Sequence, residues 1–557
     1  MDRRFLAAIG LMMLVVIAPT FLIKRPPRPA PAASVVPSVG APDSAVTPPS
    51  TAVPTPAPTA LPPRAKAPTA PEDTVVVRSG LYQMELSTRG ARLIGARLLR
   101  YTSHAAGDST AAVELVREHD ALFGARLVAG ADTLDLAQVV FTPSASEVRV
   151  EGPTPVTFTG SVGGHTVTLT YTFSPDDYQV DLRGTVSGLP ATGGLLLVDL
   201  GHGIRNSEAD SALNARDLAL VVHGVGKDAE AIPFRKPDMG EHRVTPGPMR
   251  WLAVKSKYFV LGVFAHDSAA PWAAVDMERQ DPAKLPHFAG LQASLPVGAD
   301  GVFGWRTYAG PMEYPRLGAQ GQGFNDVNPY GIFGIRTLIR PFALAFRWLI
   351  VWMHVHLGLS YGLVLILFGI LVRVVLWPLN QKAMRSAMEM QALQPKIQEL
   401  QARYKNDPQQ LNQQMFALYK ERGVNPLGGC WPMLLPMPIL FALFFVLQST
   451  IEIRGVPFLW FSDLSRADPY YIIPFVMGIS MFLLSKIGQR GLPPNPQTQM
   501  MLYLMPVMFT IFGFSFPSGL NLYYAVSNIA SIPQQWMLSQ ERLKRQGPGA
   551  VVVNTKK

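Results

Sequence analysis

The sequence predicts a multidomain membrane protein: an exported all-β domain followed by an α-helical membrane bundle. Three observations carry this. Of 557 residues, 48% are hydrophobic and only 16% charged, with the apolar residues gathered in long runs, the mark of a polytopic membrane protein carrying a soluble part. Between residues 75 and 320 the runs give way to short alternating stretches bounded by Gly, Pro and Asp, a strand-and-turn pattern. Arg373 stands near the end of the apolar run 357–376, where burying its charge in hydrocarbon costs roughly 2.5–3.5 kcal/mol on insertion scales.

Residues 1–23 contain an apolar stretch from Phe5 to Ile23 behind Arg3 and Arg4, long enough to span a bilayer. A cleavable signal peptide is the alternative, with Ala30-Pro31-Ala32 as its small-residue site. The length of the stretch and the crowding prolines favour a retained anchor, and on either reading the chain beyond it is exported. Residues 24–74 are a tether: positions 24–71 hold 15 prolines, enough to keep the chain extended and semi-rigid. In 75–320, Thr166-Val167-Thr168-Leu169-Thr170-Tyr171-Thr172-Phe173 alternates, then Pro175-Asp176-Asp177 turns into Tyr178-Gln179-Val180-Asp181-Leu182, a hairpin signature. Residues 195–200 and 258–264 read as more buried strands. This much β-pattern suggests one large sandwich. Such sandwiches often bind sugars, but no carboxylate pair or histidine cluster has catalytic spacing, which favours a scaffold or interaction role.

Within 330–356, Arg336, Arg340, Arg347 and His354 fall in an arc of about 40° at 100° per residue, opposite a wide apolar face. That pattern predicts an amphipathic helix lying along the headgroups, with Pro341 breaking its first turn. The membrane core, 357–540, offers spans at 357–376, 434–449, 470–485, 502–516 and 520–538. Between the first two of these, 380–424 holds seven basic residues against four acidic ones, whereas 451–468 holds two against three. With Lys486, Arg490 and the basic tail 541–557, these charges agree on six crossing helices with both termini cytoplasmic. In 380–424, Leu393, Ile397 and Leu400, then Leu411, Met415 and Leu418, recur at helical spacing around Asn406-Asp407-Pro408, which predicts a helical hairpin with a capped second helix.

On the last span Asn521, Tyr524, Asn528, Ser531 and Gln535 share an arc of about 80°. Such a stripe can be interhelical glue, and Arg373 can snorkel to the headgroups. Together they suggest instead a hydrated groove facing the cytoplasm. Several spans are also short, which thins the bilayer beside them. Cys430 is the only cysteine, so no intrachain disulfide is available and Cys430 reads as a packing residue. A net charge of +10 lies largely in loops flanking apolar runs and is not by itself a nucleic-acid footprint. A transporter or channel, the alternative reading, would show paired intramembrane charges or inverted repeats. A membrane-anchored sugar-active enzyme would need a carboxylate pair. No nucleotide loop or metal motif is present, so no cofactor is inferred.

Val372-Arg373, Trp377-Pro378-Leu379, Leu393-Gln394-Pro395-Lys396 and Ala417-Leu418-Tyr419-Lys420 resemble the YidC-type membrane protein insertases of the Oxa/Alb superfamily. So do Val424-Asn425-Pro426-Leu427-Gly428-Gly429-Cys430-Trp431-Pro432, Asp468-Pro469-Tyr470-Tyr471 and Phe516-Pro517-Ser518-Gly519-Leu520 with Tyr523-Tyr524 and Ser527-Asn528. Trp251, Lys257-Tyr258-Phe259 and Tyr308-Ala309-Gly310-Pro311 more loosely resemble the periplasmic supersandwich of Gram-negative members. The resemblance implies an inner-membrane insertase, not an enzyme, that folds nascent membrane proteins into the lipid bilayer, alone or with the Sec translocon. It also implies that Arg373 and Tyr524 lie in the substrate groove. Gly369 stands where the family often has a hydroxyl residue, which widens the groove. The hairpin, the short loop 486–499 and the basic tail are expected to dock the translating ribosome.

Overall fold

The computed structural model describes residues 72–108, 111–266, 271–328, 336–404, 407–421, 436–490 and 496–546. The N-terminal span, the tether up to residue 71, Cys430 with its flanking motif, and residues 547–557 lie outside the described residues.

Alternation decides the β-domain. In the strand His165–Phe173 the side chains of Val167, Leu169, Tyr171 and Phe173 are buried and the intervening threonines are not. It pairs antiparallel with Gln179–Val186, from Val167 opposite Val186 to Phe173 opposite Val180, so the expected hairpin is present. Phe259–Ala265 is buried at every position because it runs between His242–Lys255 and Val302–Pro311. The described strands make a five-stranded and a fourteen-stranded sheet. Their apolar faces close over one core that includes Trp251, Trp272, Trp305, Tyr178 and Tyr308. Two short helices belong to this domain, α1 (Ser211–Asp217), capped by Asp210, and α2 (Tyr314–Ala319). After α2 the chain folds back under the sheet: Phe324 is fully buried against Trp251, Phe264 and Tyr308, and Lys255 Nζ donates to Asn328 Oδ1 at 3.3 Å. The β-domain therefore hands the chain on from a fixed point.

The helical region follows as α3 (Arg336–Leu357), α4 (Tyr361–Ala392), α5 (Gln394–Arg403), α6 (Pro408–Glu421), α7 (Pro436–Ser449), α8 (Ile472–Gly488), α9 (Pro496–Gly513) and α10 (Ser518–Gln546). By length and composition, Thr337–Leu357 and Tyr361–Pro378 are long and apolar enough to cross a membrane, while α8 and the apolar part of α9 are shorter. At 1.5 Å per residue the 17 residues of α8 span about 25 Å, against roughly 30 Å of hydrocarbon. Val364, Leu365 and Phe368 of α4, Leu443 and Val446 of α7, and Leu520 of α10 form a second apolar core. Trp348, Val355, Val374, Val375, Ile479 and Val507 remain exposed, as lipid-facing side chains would be. Apart from the first turn of α9, the described residues form one compact unit.

Three elements differ from expectation. Pro341 lies inside α3 without ending it, because its missing donor costs a single bond close to the helix start. Two cations of the α3 stripe have protein partners: Arg340 Nη2 pairs with Asp326 at 2.6 Å, and Arg347 pairs with Glu452 and lies over the Tyr314 ring. His354 stacks on Tyr361. Helix α4 continues sixteen residues past Leu376, where the span was expected to end, carrying Pro378 within it. By contrast, Asp407 accepts from the amides of Gln409 and Gln410 at 3.1 and 2.9 Å, so the expected cap opens α6.

Candidate functional site

Helix α10 is the axis of the site, since its polar residues point in two directions about 100° apart on the helical wheel. One face meets α4. There Ser527 Oγ accepts from Arg373 Nε at 2.9 Å, and Gln534 Nε2 donates to the Trp377 carbonyl at 2.9 Å. One turn earlier on α4 a Cβ added to Gly369 would sit 3.4 Å from Val526 and 3.5 Å from Tyr523, so the two helices approach closely at that point. Gly369 marks a helix contact here, not the wide spot its small size suggested. Phe368 packs on Tyr523 with ring centres 5.9 Å apart.

The other face meets α8 and α9. Asn521 is fully buried and its Nδ2 donates to the Gly513 carbonyl at 2.8 Å, tying the start of α10 to the end of α9. Asn528 Nδ2 donates to Ser480 Oγ at 3.3 Å. Gln535 packs where a Cβ on Gly488 would overlap its amide. Ser531 turns back on its own helix, its Oγ donating to the Ser527 carbonyl at 2.7 Å. Half-buried Tyr524 lies against Tyr523, ring centres 5.5 Å apart. Of the expected set, then, Arg373 is joined to α10, but through Ser527. Asn521, Asn528 and Gln535 engage the neighbouring helices α8 and α9.

Ser527 was the residue sequence reasoning passed over. It belonged to the quoted Ser527-Asn528 pair, yet it falls outside the stripe's arc. The available signal was chemical: a cation inside an apolar helix needs an acceptor, and a serine on a facing helix supplies one. The hydrogen bond holds one of the guanidinium's five donors. Among the described residues no side chain accepts from its two terminal nitrogens, which leaves them available to a polar group entering between the helices.

The bundle's outer ends are closed by residues 450–468, which join α7 to α8. Asp468, 1% exposed, accepts from Trp460 Nε1 at 3.1 Å, the Tyr470 amide at 3.0 Å and the Ile473 amide at 2.8 Å. It thereby caps α8 and gives the Asp468-Pro469-Tyr470-Tyr471 motif its physical reason. At the opposite end of α8, Arg542 Nη1 donates to the carbonyls of Gly488 and Arg490 at 2.8 and 3.1 Å.

These features define a large β-domain joined to a bundle of apolar helices, two of them long and apolar enough to cross a membrane, with an arginine held between two helices of the bundle. The sequence matches the family described as 60Kd inner membrane protein over residues 352–546 and the YidC periplasmic domain over 74–345. A membrane protein insertase YidC from Syntrophus aciditrophicus (strain SB) is 31% identical, over 84% of this chain and 85% of that protein. One from Geobacter sp. (strain M21) is 32% identical, again over 84% and 85%. A crystal structure of an active YidC insertase with its first transmembrane domain resolved aligns with 84% of this chain and 94% of its own, at 17% identity and a TM-score of 0.33. The chain belongs to the YidC family of membrane protein insertases. It is an inner-membrane protein with a periplasmic domain, and it inserts membrane proteins without catalysing a chemical reaction.

Proposed function

We propose that insertion proceeds through a hydrated groove between α4 and α10, open to the cytoplasm and lined by Arg373, Tyr524 and the polar face of α10. The observation that carries this reading is the Arg373–Ser527 bond, which fixes the guanidinium by one nitrogen and, among the described residues, leaves its two ends without a side-chain acceptor. A positive charge so held attracts acidic or polar groups at the start of a client's exported tail. The short helices beside it reduce the distance such a segment crosses unaided. The attraction stays modest, because a client held tightly would not leave for the bilayer. Asn521, Asn528 and Gln535 then serve the groove chiefly by fixing α10 against α8 and α9.

The same reading places both termini in the cytoplasm with six crossing helices, and puts α5 and α6 there as the docking surface for a translating ribosome. Exposed Lys396, Arg403 and Lys420 support it. The Sec translocon is the partner proposed for larger clients. The test uses the full-length protein in lipid vesicles with single-span clients whose exported tails are acidic or neutral. Arg373→Ala is expected to slow the acidic clients about tenfold, equivalent to roughly 1.4 kcal/mol, and Arg373→Lys to retain most activity because charge matters more than fork geometry. Undiminished insertion of acidic-tailed clients by Arg373→Ala would overturn the groove.

A further inference from the structure

Residues 450–468 are held from two sides. On one side is the β-domain. The Arg454 side chain is only 4% exposed, and its partners all belong to that domain. Nε donates to Glu208 Oε1 at 2.8 Å, Nη1 to the Thr102 carbonyl at 2.9 Å and Nη2 to the Ser207 carbonyl at 3.1 Å. The guanidinium also lies 5.3 Å from the ring centre of Phe259. His104 Nδ1 lies 3.5 Å from Asp463 Oδ2 at the same junction.

On the other side is α10. The Ser518 amide and hydroxyl donate to the Arg466 carbonyl at 2.6 and 2.7 Å, and the Gly519 amide donates to the Leu464 carbonyl at 2.9 Å. These are donors of the first turn, which no intrahelical acceptor can satisfy. Between the two attachments Asp463 Oδ1 accepts from the amide and hydroxyl of Ser465 at 2.8 and 2.7 Å, which keeps the intervening turn stiff. Nine residues down the same helix is Ser527, the partner of Arg373.

A buried guanidinium with a carboxylate and two carbonyls at its three nitrogens is not free to move, since breaking it strands charge away from water. We propose that Arg454 is a positioning residue through which the periplasmic domain fixes the outer end of α10, and so sets Ser527 against Arg373. The proposal rests on the groove reading and names what holds that groove in register. A helix is stiff over nine residues, so a displacement at Ser518 reaches Ser527 almost undiminished. The β-domain thereby acts on insertion without touching the client.

Amide hydrogen exchange on the full-length protein in lipid nanodiscs tests this. In Arg454→Ala the Ser518 and Gly519 amides are expected to exchange about tenfold faster, with amides in the middle of α8 unchanged. Client insertion in the same samples is expected to fall about threefold. Arg454→Lys should rescue only in part, because an ammonium cannot meet three acceptors spread over a fork. Unchanged exchange at Ser518 and Gly519 overturns the proposal, and so does faster exchange with full insertion. Should Arg454→Ala fail to fold, Glu208→Gln, which preserves shape, decides on the same amides. Arg373→Ala, measured alongside, should lower insertion and leave those amides alone. Full insertion by that variant sinks the groove, while the exchange result still judges what holds α10.

Discussion

A carboxylate buried as completely as Asp468 needs donors, and three converge on it, from Trp460, Tyr470 and Ile473. Asp468→Ala strands all three and is expected to cost about 3 kcal/mol. Asp468→Asn keeps one acceptor and should cost less; unfolding in detergent, followed by tryptophan fluorescence, ranks the two. A second residue-scale test lies between α8 and α9. A Cβ on Gly478 would overlap Thr510 Oγ1, which is itself held by the Pro506 carbonyl at 2.8 Å. Gly478→Ala should therefore destabilise, and adding Thr510→Ala should recover about 1 kcal/mol or more of that loss. Additive effects would show that the two helices simply move apart. None of these pairings was legible in the sequence. A wheel tells which residues share a face of α10, but not which helix covers that face. That is why Asn528 was grouped with Arg373 when its neighbour Ser527 holds the bond.

At the scale of the element, existence was well marked and extent less so, as the sixteen residues of α4 past Leu376 show. Apolar run length located α4, α7, α8, α9 and α10, and alternation located the hairpin of the β-domain. Partners were less well marked, as α3 shows. Its basic stripe was visible, but Asp326 and Glu452, which neutralise it, lie well before Arg340 and more than a hundred residues after Arg347 respectively. Because Arg347 and Glu452 are paired and largely buried, Arg347→Met should cost about 3 kcal/mol or more, whereas changing both partners to apolar residues should restore most of it. The same burial removes Arg347 from contact with headgroups. The protection of α3 from proteolysis in vesicles is expected to change little as the anionic lipid fraction rises, and a strong rise would return the stripe to the headgroups.

For the whole molecule the question is how its parts are held, and two measurements address it. Burial, then the neighbouring Arg454, hold the His104 imidazole below its ordinary pKa; Asp463 and Glu208 pull it up and Arg466 pushes it down. A folded pKa below the unfolded one of about 6.5 means a contribution that is whole above that pH and is lost as pH falls. Once the intrinsic slowing of amide exchange in acid is divided out, protection at the Arg454 junction should fall on acidification, and His104→Gln should flatten that response. The second measurement concerns the tail. If α5, α6 and the basic C-terminus dock on ribosomal RNA, binding must weaken steeply with salt, by close to one unit of log–log slope for each phosphate contact. Removing everything after Gln540 looks like the direct test, but it also removes Arg542, which caps α8 through Gly488 and Arg490. Truncation after Gln546 takes only Lys556 and Lys557 of the basic residues and leaves that cap in place. The shorter cut is expected to lower the slope by at most about two with the melting midpoint unchanged. The longer cut should lower the slope further and the midpoint as well, because it strips α8 of its C-terminal donor. Equal ribosome affinity and salt slope in both truncations and the intact chain would remove the tail from the docking surface and leave Lys396, Arg403 and Lys420 to carry it.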